Sequence, residues 1–247
     1  GADCDPVPRP RTLTHLVAVA CGEGHSMQTA IRIRRYWSAW LFGAVLLPSV
    51  VLANTALVPS PPSINADSYL LVDFDTGAVL VEHNPDLQLP PASLTKLMTA
   101  YILAEEVALG RLALDDTVRV SRNAWSQNPV FNGSSLMWIE PGKPVTVAEL
   151  ERGIVISSGN DATVAIAEHI AGSEAAFVDL MNRYAEEMGL TRTHFENSHG
   201  LPHPDHLSTA RDLAATAVAA IRDHPERYAV YKAVSYTHLR AHETRLN

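Results

Sequence analysis

Ser93 and Lys96 stand three residues apart in Pro90-Pro91-Ala92-Ser93-Leu94-Thr95-Lys96, a spacing that puts both side chains on one helical face, about one turn from each other. A serine hydroxyl scarcely ionises at neutral pH, so as a nucleophile it needs a neighbour to take its proton. A lysine can do this where burial or a nearby cation lowers its pKa and leaves a neutral amine. The free N–H groups and positive end of the helix would also favour negative charge developing at Ser93. The structural alternative is that Ser93 opens the helix as its N-cap. A second group lies 65 residues on, where Ser157-Ser158-Gly159-Asn160-Asp161 interrupts a helical pattern. Ser158 could pass a proton between Lys96 and a leaving group, and Asn160 could hydrogen-bond a substrate amide. Equally, Asn160 could cap the next helix.

The elements that must position these groups follow from periodicity and punctuation. Residues 68–74 and 78–83 read as two strands joined through Asp75-Thr76-Gly77, with glycine available for a positive φ. Leu94, Leu97, Met98, Tyr101 and Ile102 repeat with helical spacing, and that helix ends near Gly110. A short strand with turns is expected over 112–120 and a loop over 121–143, which holds Asn128-Pro129, Asn132-Gly133 and Pro141-Gly142. Thr146-Val147-Ala148-Glu149 is a capping box that starts a helix over about 147–156. Helical patterning resumes over 161–171. Ser173 caps a third helix closed by Gly189, and 209–222 is an alanine-rich helix expected to be partly buried.

With 47% hydrophobic and 19% charged residues over 247 positions, the chain has a globular composition. Its two cysteines, Cys4 and Cys21, lie near the N-terminus, so the body has no disulfide framework, cysteine metal site or thiol nucleophile. Residues 57–233 carry 12 basic and 23 acidic side chains, a net of −11. That balance argues against a nucleic-acid partner, which would need a basic patch.

The two ends read differently from the body. Residues 1–26 have no periodic apolar run and are expected to be upstream translation, with Met27 the true start. Residues 27–56 run from Arg32, Arg34 and Arg35 through an uncharged apolar stretch to small residues around Ala53 and Ala56. This is the pattern of a secretory signal peptide, with an uncleaved membrane anchor as the alternative. Proline-rich residues 57–66 form a linker to the domain at 67–233. Residues 234–247 break the pattern again and are expected to be foreign sequence.

Taken together, Pro91-Ala92-Ser93-Leu94-Thr95-Lys96-Leu97-Met98-Thr99, Ile156-Ser157-Ser158-Gly159-Asn160-Asp161-Ala162 and Asn197-Ser198-His199-Gly200-Leu201, in this order after the 68–77 hairpin, resemble the low-molecular-mass D-alanyl-D-alanine carboxypeptidases. These are penicillin-binding, active-site-serine acyltransferases whose motifs include S-x-x-K and K-T-G. The resemblance spans about residues 64–233. It implies an α/β (α+β) fold of the β-lactamase/transpeptidase type: an antiparallel sheet flanked by helices plus an all-helical lobe, with Ser93 between the two. It further implies Ser93 as nucleophile, Lys96 as general base and Ser158 as proton relay. Asn160, Gly159 and His199 become substrate-binding positions. The implied partners are peptidoglycan stem peptides and β-lactams as covalent inhibitors, with no cofactor, in the periplasm, peripheral to the inner membrane through a C-terminal anchor.

This sequence departs from the family in one respect: no K-T-G occurs in it, and its other lysines, Lys143 and Lys232, are not followed by Thr-Gly. The last sheet strands and the anchor are likewise expected to be missing, so the chain reads as a fragment, inactive as it stands and exposing apolar strand surface. Its rivals are a murein endopeptidase or β-lactamase of the same fold, or a noncatalytic penicillin- or peptidoglycan-binding module. The stretch Glu196-Asn197-Ser198-His199 does not provide the E-x-x-L-N of a class A β-lactamase. His194, His203 and His206 lie near Asp205, but their spacing matches no closed zinc pattern. They are expected as surface histidines, with no metal site. Asp73 and Asp75 read as turn residues, and Trp125 and Trp138 as core or loop packing.

Overall fold

The computed structural model describes residues 64–233 and residue 235; the expected upstream segment, the signal peptide and nearly all of the tail lie outside them. Strands β1 (Tyr69–Val72) and β2 (Val79–His83) pair antiparallel, Tyr69 opposite His83, with a bulge between Leu71 and Val72. The turn forms because the Asp73 carboxylate accepts the Thr76 N–H and hydroxyl at 2.9 and 2.6 Å, while Gly77 takes φ +70°. The hairpin leaves Leu71, Val79 and Leu80 about half exposed, and Phe74 beside it as well.

After the hairpin, a 3₁₀ turn over Ala92–Thr95 leads into α1 (Lys96–Ala108). Met98 and every residue from there to Ala104 are buried, so α1 is the central helix, enclosed all round over these two turns. One side packs Met98, Tyr101 and Ile102 against Phe177, Met181 and Phe195. Leu103 enters the other core, with Phe131, Met137, Leu150, Ile154 and Ile166. Each fully buried side chain of this size contributes about 1.5–3 kcal/mol. Leu94 departs from the helical expectation. It is 54% exposed, because residues 92–95 are wound as a 3₁₀ turn and Leu94 falls at the mouth of a cleft instead of on the core face.

The remaining elements build the helical lobe. Strands β3 (Thr117–Val118) and β4 (Val145–Thr146) form a second antiparallel pair. The reciprocal Thr146–Glu149 capping box then starts α2 (Val147–Ser157). Ser158 ends that helix in the left-handed region at φ +54°, and α3 (Asn160–Ala171) begins two residues later. Ser173 caps α4 (Glu174–Glu187), and Thr209 caps α5 (Ala210–Asp223), which packs on β1 and α1. The short α6 (Pro225–Tyr228) and a 3₁₀ turn over Ala229–Lys232 return the chain to α2. Buried Glu151 on α2 meets Arg227 of α6 at 3.4 Å there. No helix among the described residues is long and apolar enough to cross a membrane.

Candidate active site

The Ser93 turn is shaped by close backbone contact. Ala92 takes φ +48°, an uncommon conformation for a residue with a side chain. Gly200, at φ +93°, lies so near that a Cβ placed on it would fall 1.8 Å from the Ala92 carbonyl oxygen. Thr95, fully buried, meets His206 Nε2 at 2.8 Å, and the Glu196 N–H donates to His206 Nδ1 at 3.0 Å. The proton of this histidine therefore sits on Nε2 and points at Thr95 Oγ1. Burial pushes the His206 pKa down to about 4. It is 2% exposed and is not the surface histidine expected from sequence, whereas His194 and His203 are exposed.

Lys96 begins α1 directly behind this turn and is 5% exposed. Its Nζ has three neighbours: Asn160 Oδ1 at 2.7 Å, the His199 carbonyl oxygen at 2.7 Å and Ser93 Oγ at 3.3 Å. Burial lowers the Lys96 pKa to about 8, and the charge of nearby Asp161 only partly opposes this. Ser158 Oγ donates to Ser93 Oγ at 3.0 Å. Ser93 itself is exposed, and the cleft around it, of about 160 Å³, is lined by Lys96, Leu97, Ile154, Ser158 and Tyr231. Neither cap reading fits this geometry. Ser93 makes no capping bond within its turn, and the Asn160 side chain faces Lys96 instead of the helix amides.

The other two expected binding residues are also buried. Gly159 is buried, its N–H donates to Gly153, and its carbonyl accepts from the Thr163 hydroxyl. It lets the backbone N of Met137 approach to where a Cβ would be 3.0 Å away, a close packing that a side chain here would disturb. The His199 ring turns inward, 6% exposed, against Phe131. Its Nδ1 accepts from the Leu201 N–H, its Nε2 faces Glu174 at 3.5 Å, and burial holds its pKa down at about 3. The ring is neutral, and the backbone carbonyl is the part that touches Lys96.

Sequence reading passed over the braces behind the site. The fully buried Asp161 carboxylate accepts N–H groups from Met137, Ile139 and Ala162 at 2.8, 3.1 and 2.9 Å. Trp138, between the first two donors, takes φ +65° so that both N–H groups converge; its side chain is 50% exposed, which excludes the core half of the core-or-loop expectation. Thr99 on α1 donates to the Ser198 carbonyl at 2.7 Å, and Ser198 is held in turn by Glu174. None of these carries a local signal, since each joins residues at least 22 positions apart apart from the Ala162 bond. Lys143 pairs with Glu140.

A mixed α/β fold with a serine–lysine turn facing a Ser-Gly-Asn turn across a cleft is the architecture of the penicillin-binding, transpeptidase-like proteins. This chain belongs to the D-alanyl-D-alanine carboxypeptidase family, whose model matches residues 55–246. It is 47% identical over 182 residues to the D-alanyl-D-alanine carboxypeptidase DacA of Escherichia coli, covering 73% of this chain and 45% of that one. The D-alanyl-D-alanine endopeptidase of Escherichia coli is 30% identical over 190 residues, covering 76% and 58%. Penicillin binding protein 5 from Haemophilus influenzae superposes with a TM-score of 0.71 at 42% identity, covering 73% of this chain and 52% of that one. The chain spans about half the length of the curated relatives it matches.

Proposed function

We propose that this chain carries the acylation centre of a serine D-Ala-D-Ala carboxypeptidase, which removes the terminal D-alanine from peptidoglycan stem pentapeptides and is acylated by β-lactams. The observation that carries this reading is the convergence of three oxygens on Lys96 Nζ. A neutral amine has two N–H bonds and one lone pair. Asn160 Oδ1 and the His199 carbonyl, both at 2.7 Å, take the two N–H bonds, so the lone pair is left toward Ser93 Oγ at 3.3 Å. A pKa near 8 keeps a fraction of the amine neutral at physiological pH.

In this reading Lys96 takes the Ser93 proton as Oγ attacks the carbonyl between the two D-alanines. The backbone N–H of Ser93 stabilises the oxyanion, a donor of the kind worth about 3–4 kcal/mol. Ser158, 3.0 Å from Ser93 Oγ, carries the proton to the departing D-alanine nitrogen. The C–N bond breaks, an ester to Ser93 remains, and water hydrolyses it. Asn160 then has two duties, holding Lys96 and offering its amide to the peptide. The arginine-led apolar stretch at 27–56 supports export, with action on the cell wall outside the cytoplasmic membrane.

The test uses a fluorescent penicillin on the 247-residue chain and on a fusion of residues 64–233 to the C-terminal half of the Escherichia coli relative, which lies beyond the matched region. Covalent label on the fusion that disappears in Ser93→Ala is the expected result. An unlabelled fusion, or label that survives Ser93→Ala, overturns the reading. D-Alanine release from a pentapeptide, set against cleavage of a cross-linked dimer, separates carboxypeptidase from endopeptidase. The higher identity to the carboxypeptidase favours the first.

A further inference from the structure

The loop between Phe195 and Leu207 is closed at its base by paired backbone bonds, His194 N–H to Leu207 O at 2.9 Å and Leu207 N–H to His194 O at 3.1 Å. Within it, donor atoms of Glu196, His203 and Asp205 all lie within 4.8 Å of one another, and all three residues are exposed. His194 adds a fourth donor, its Nε2 3.0 Å from Glu196 Oε1. The Asp205 carboxylate makes no hydrogen bond or ion pair with another described residue, and its own backbone N–H donates to His203 Nδ1 at 3.3 Å. One imidazole and two carboxylates thus face one small volume, and a second imidazole, His194, stands beside it against Glu196.

We propose that this loop binds a divalent transition metal, Zn²⁺ by the chemistry of its donors, through Glu196, His203 and Asp205, with His194 as the fourth ligand. Imidazole and carboxylate together suit zinc, whereas calcium and magnesium prefer all-oxygen sites. Bond lengths of about 2.0–2.2 Å put tetrahedral donors roughly 3.4 Å apart. Exposed side chains can close from 4.8 Å to that spacing by rotation alone. The metal would also clamp the brace of the serine turn. The Glu196 N–H holds His206, and His206 holds Thr95, the residue before Lys96. The site is separate from the Ser93 cleft and does not depend on the function proposed for it.

The experiment is a calorimetric titration of the EDTA-stripped 247-residue chain with ZnCl₂ at pH 7, alongside His203→Ala, Asp205→Asn and the double variant His238→Ala/His242→Ala. One saturable site is expected, weakened at least about tenfold in each of the first two variants and unchanged in the third. Co²⁺ substituted at the site should show the intense visible bands of a four-coordinate ion, and these should vanish in His203→Ala. Zn²⁺ should also raise the melting temperature of the parent chain but not of His203→Ala. Absence of saturable binding, binding that survives His203→Ala, or binding lost with His238 and His242 overturns the proposal.

Discussion

Lys96 Nζ lies 2.7 Å from Asn160 Oδ1, across the gap between the start of α1 and the start of α3. This bond joins the S-x-x-K turn to the Ser-Gly-Asn turn, alongside that from Ser158 Oγ to Ser93 Oγ. It is also made to the buried amine whose protonation state governs everything proposed for Ser93.

The first prediction concerns pH. With the Lys96 pKa lowered to about 8 by burial, the neutral, proton-accepting form is scarce below that value and grows about tenfold per pH unit toward it. The rate of Ser93 labelling by a fluorescent penicillin, measured on the fusion, should rise about tenfold from pH 6 to pH 7 and level off above pH 8–9. A rate independent of pH from 6 to 9 would exclude Lys96 as the base.

Asn160→Asp gives a sharper version of the same test. A carboxylate 2.7 Å from Nζ favours the charged amine and should raise the Lys96 pKa. The labelling profile should move up by about 1–3 pH units, with labelling at pH 7 falling by about tenfold or more. Asn160→Ala should lower the rate without moving the profile upward. Identical profiles for the Asp and Ala variants would show that the contact does not set the pKa.

Gly200→Ala should be severely destabilising. The substitution puts a side chain at φ +93° and a Cβ 1.8 Å from the Ala92 carbonyl, backbone that can yield only by displacing the serine turn. A loss of more than about 3 kcal/mol is expected, equivalent to at least about 6 °C in melting temperature for a domain of this size. Gly172→Ala, at φ +83° with open space around it, is the matched control and should cost only about 1–2 kcal/mol. Equal melting temperatures for the two variants would refute the close-contact account.

Asp161→Ala should uncouple the 135–139 loop from α3. It removes the acceptor for three backbone N–H groups, two of them on that loop, and each buried donor left unpaired costs about 1–3 kcal/mol. The melting temperature should drop by about 6 °C or more, and amide exchange at Met137 and Ile139 should accelerate. Unchanged protection at those two amides would show that the carboxylate does not hold the loop.

Much of this architecture is legible locally. Thr146 and Ser173 each accept an N–H at the start of the helix that their residue types announce, and Thr209 does the same where the alanine-rich stretch begins. The hairpin turns on Asp73 and Gly77 as its residues require. These features depend on bonds between residues two to four apart, so residue type and spacing are enough to reveal them. The same local logic misplaced Leu94, because a helical repeat cannot announce that its first turn is 3₁₀. It also misjudged His206, whose burial depends on Thr95, 111 residues away.

The sequence by itself determined that Ser93 and Lys96 share a turn, that Ser158-Gly159-Asn160 breaks a helix, and that both belong to one family pattern. Tertiary structure alone decided what makes the pair chemical. The lowered Lys96 pKa comes from desolvation in a packed core, and its orientation comes from Asn160 and the backbone of His199, 64 and 103 positions away. It is also what gathered Glu196, His203 and Asp205 into one volume. Burial and long-range hydrogen bonds exist only once the chain has closed on itself, which is why no spacing rule along the chain could have contained them.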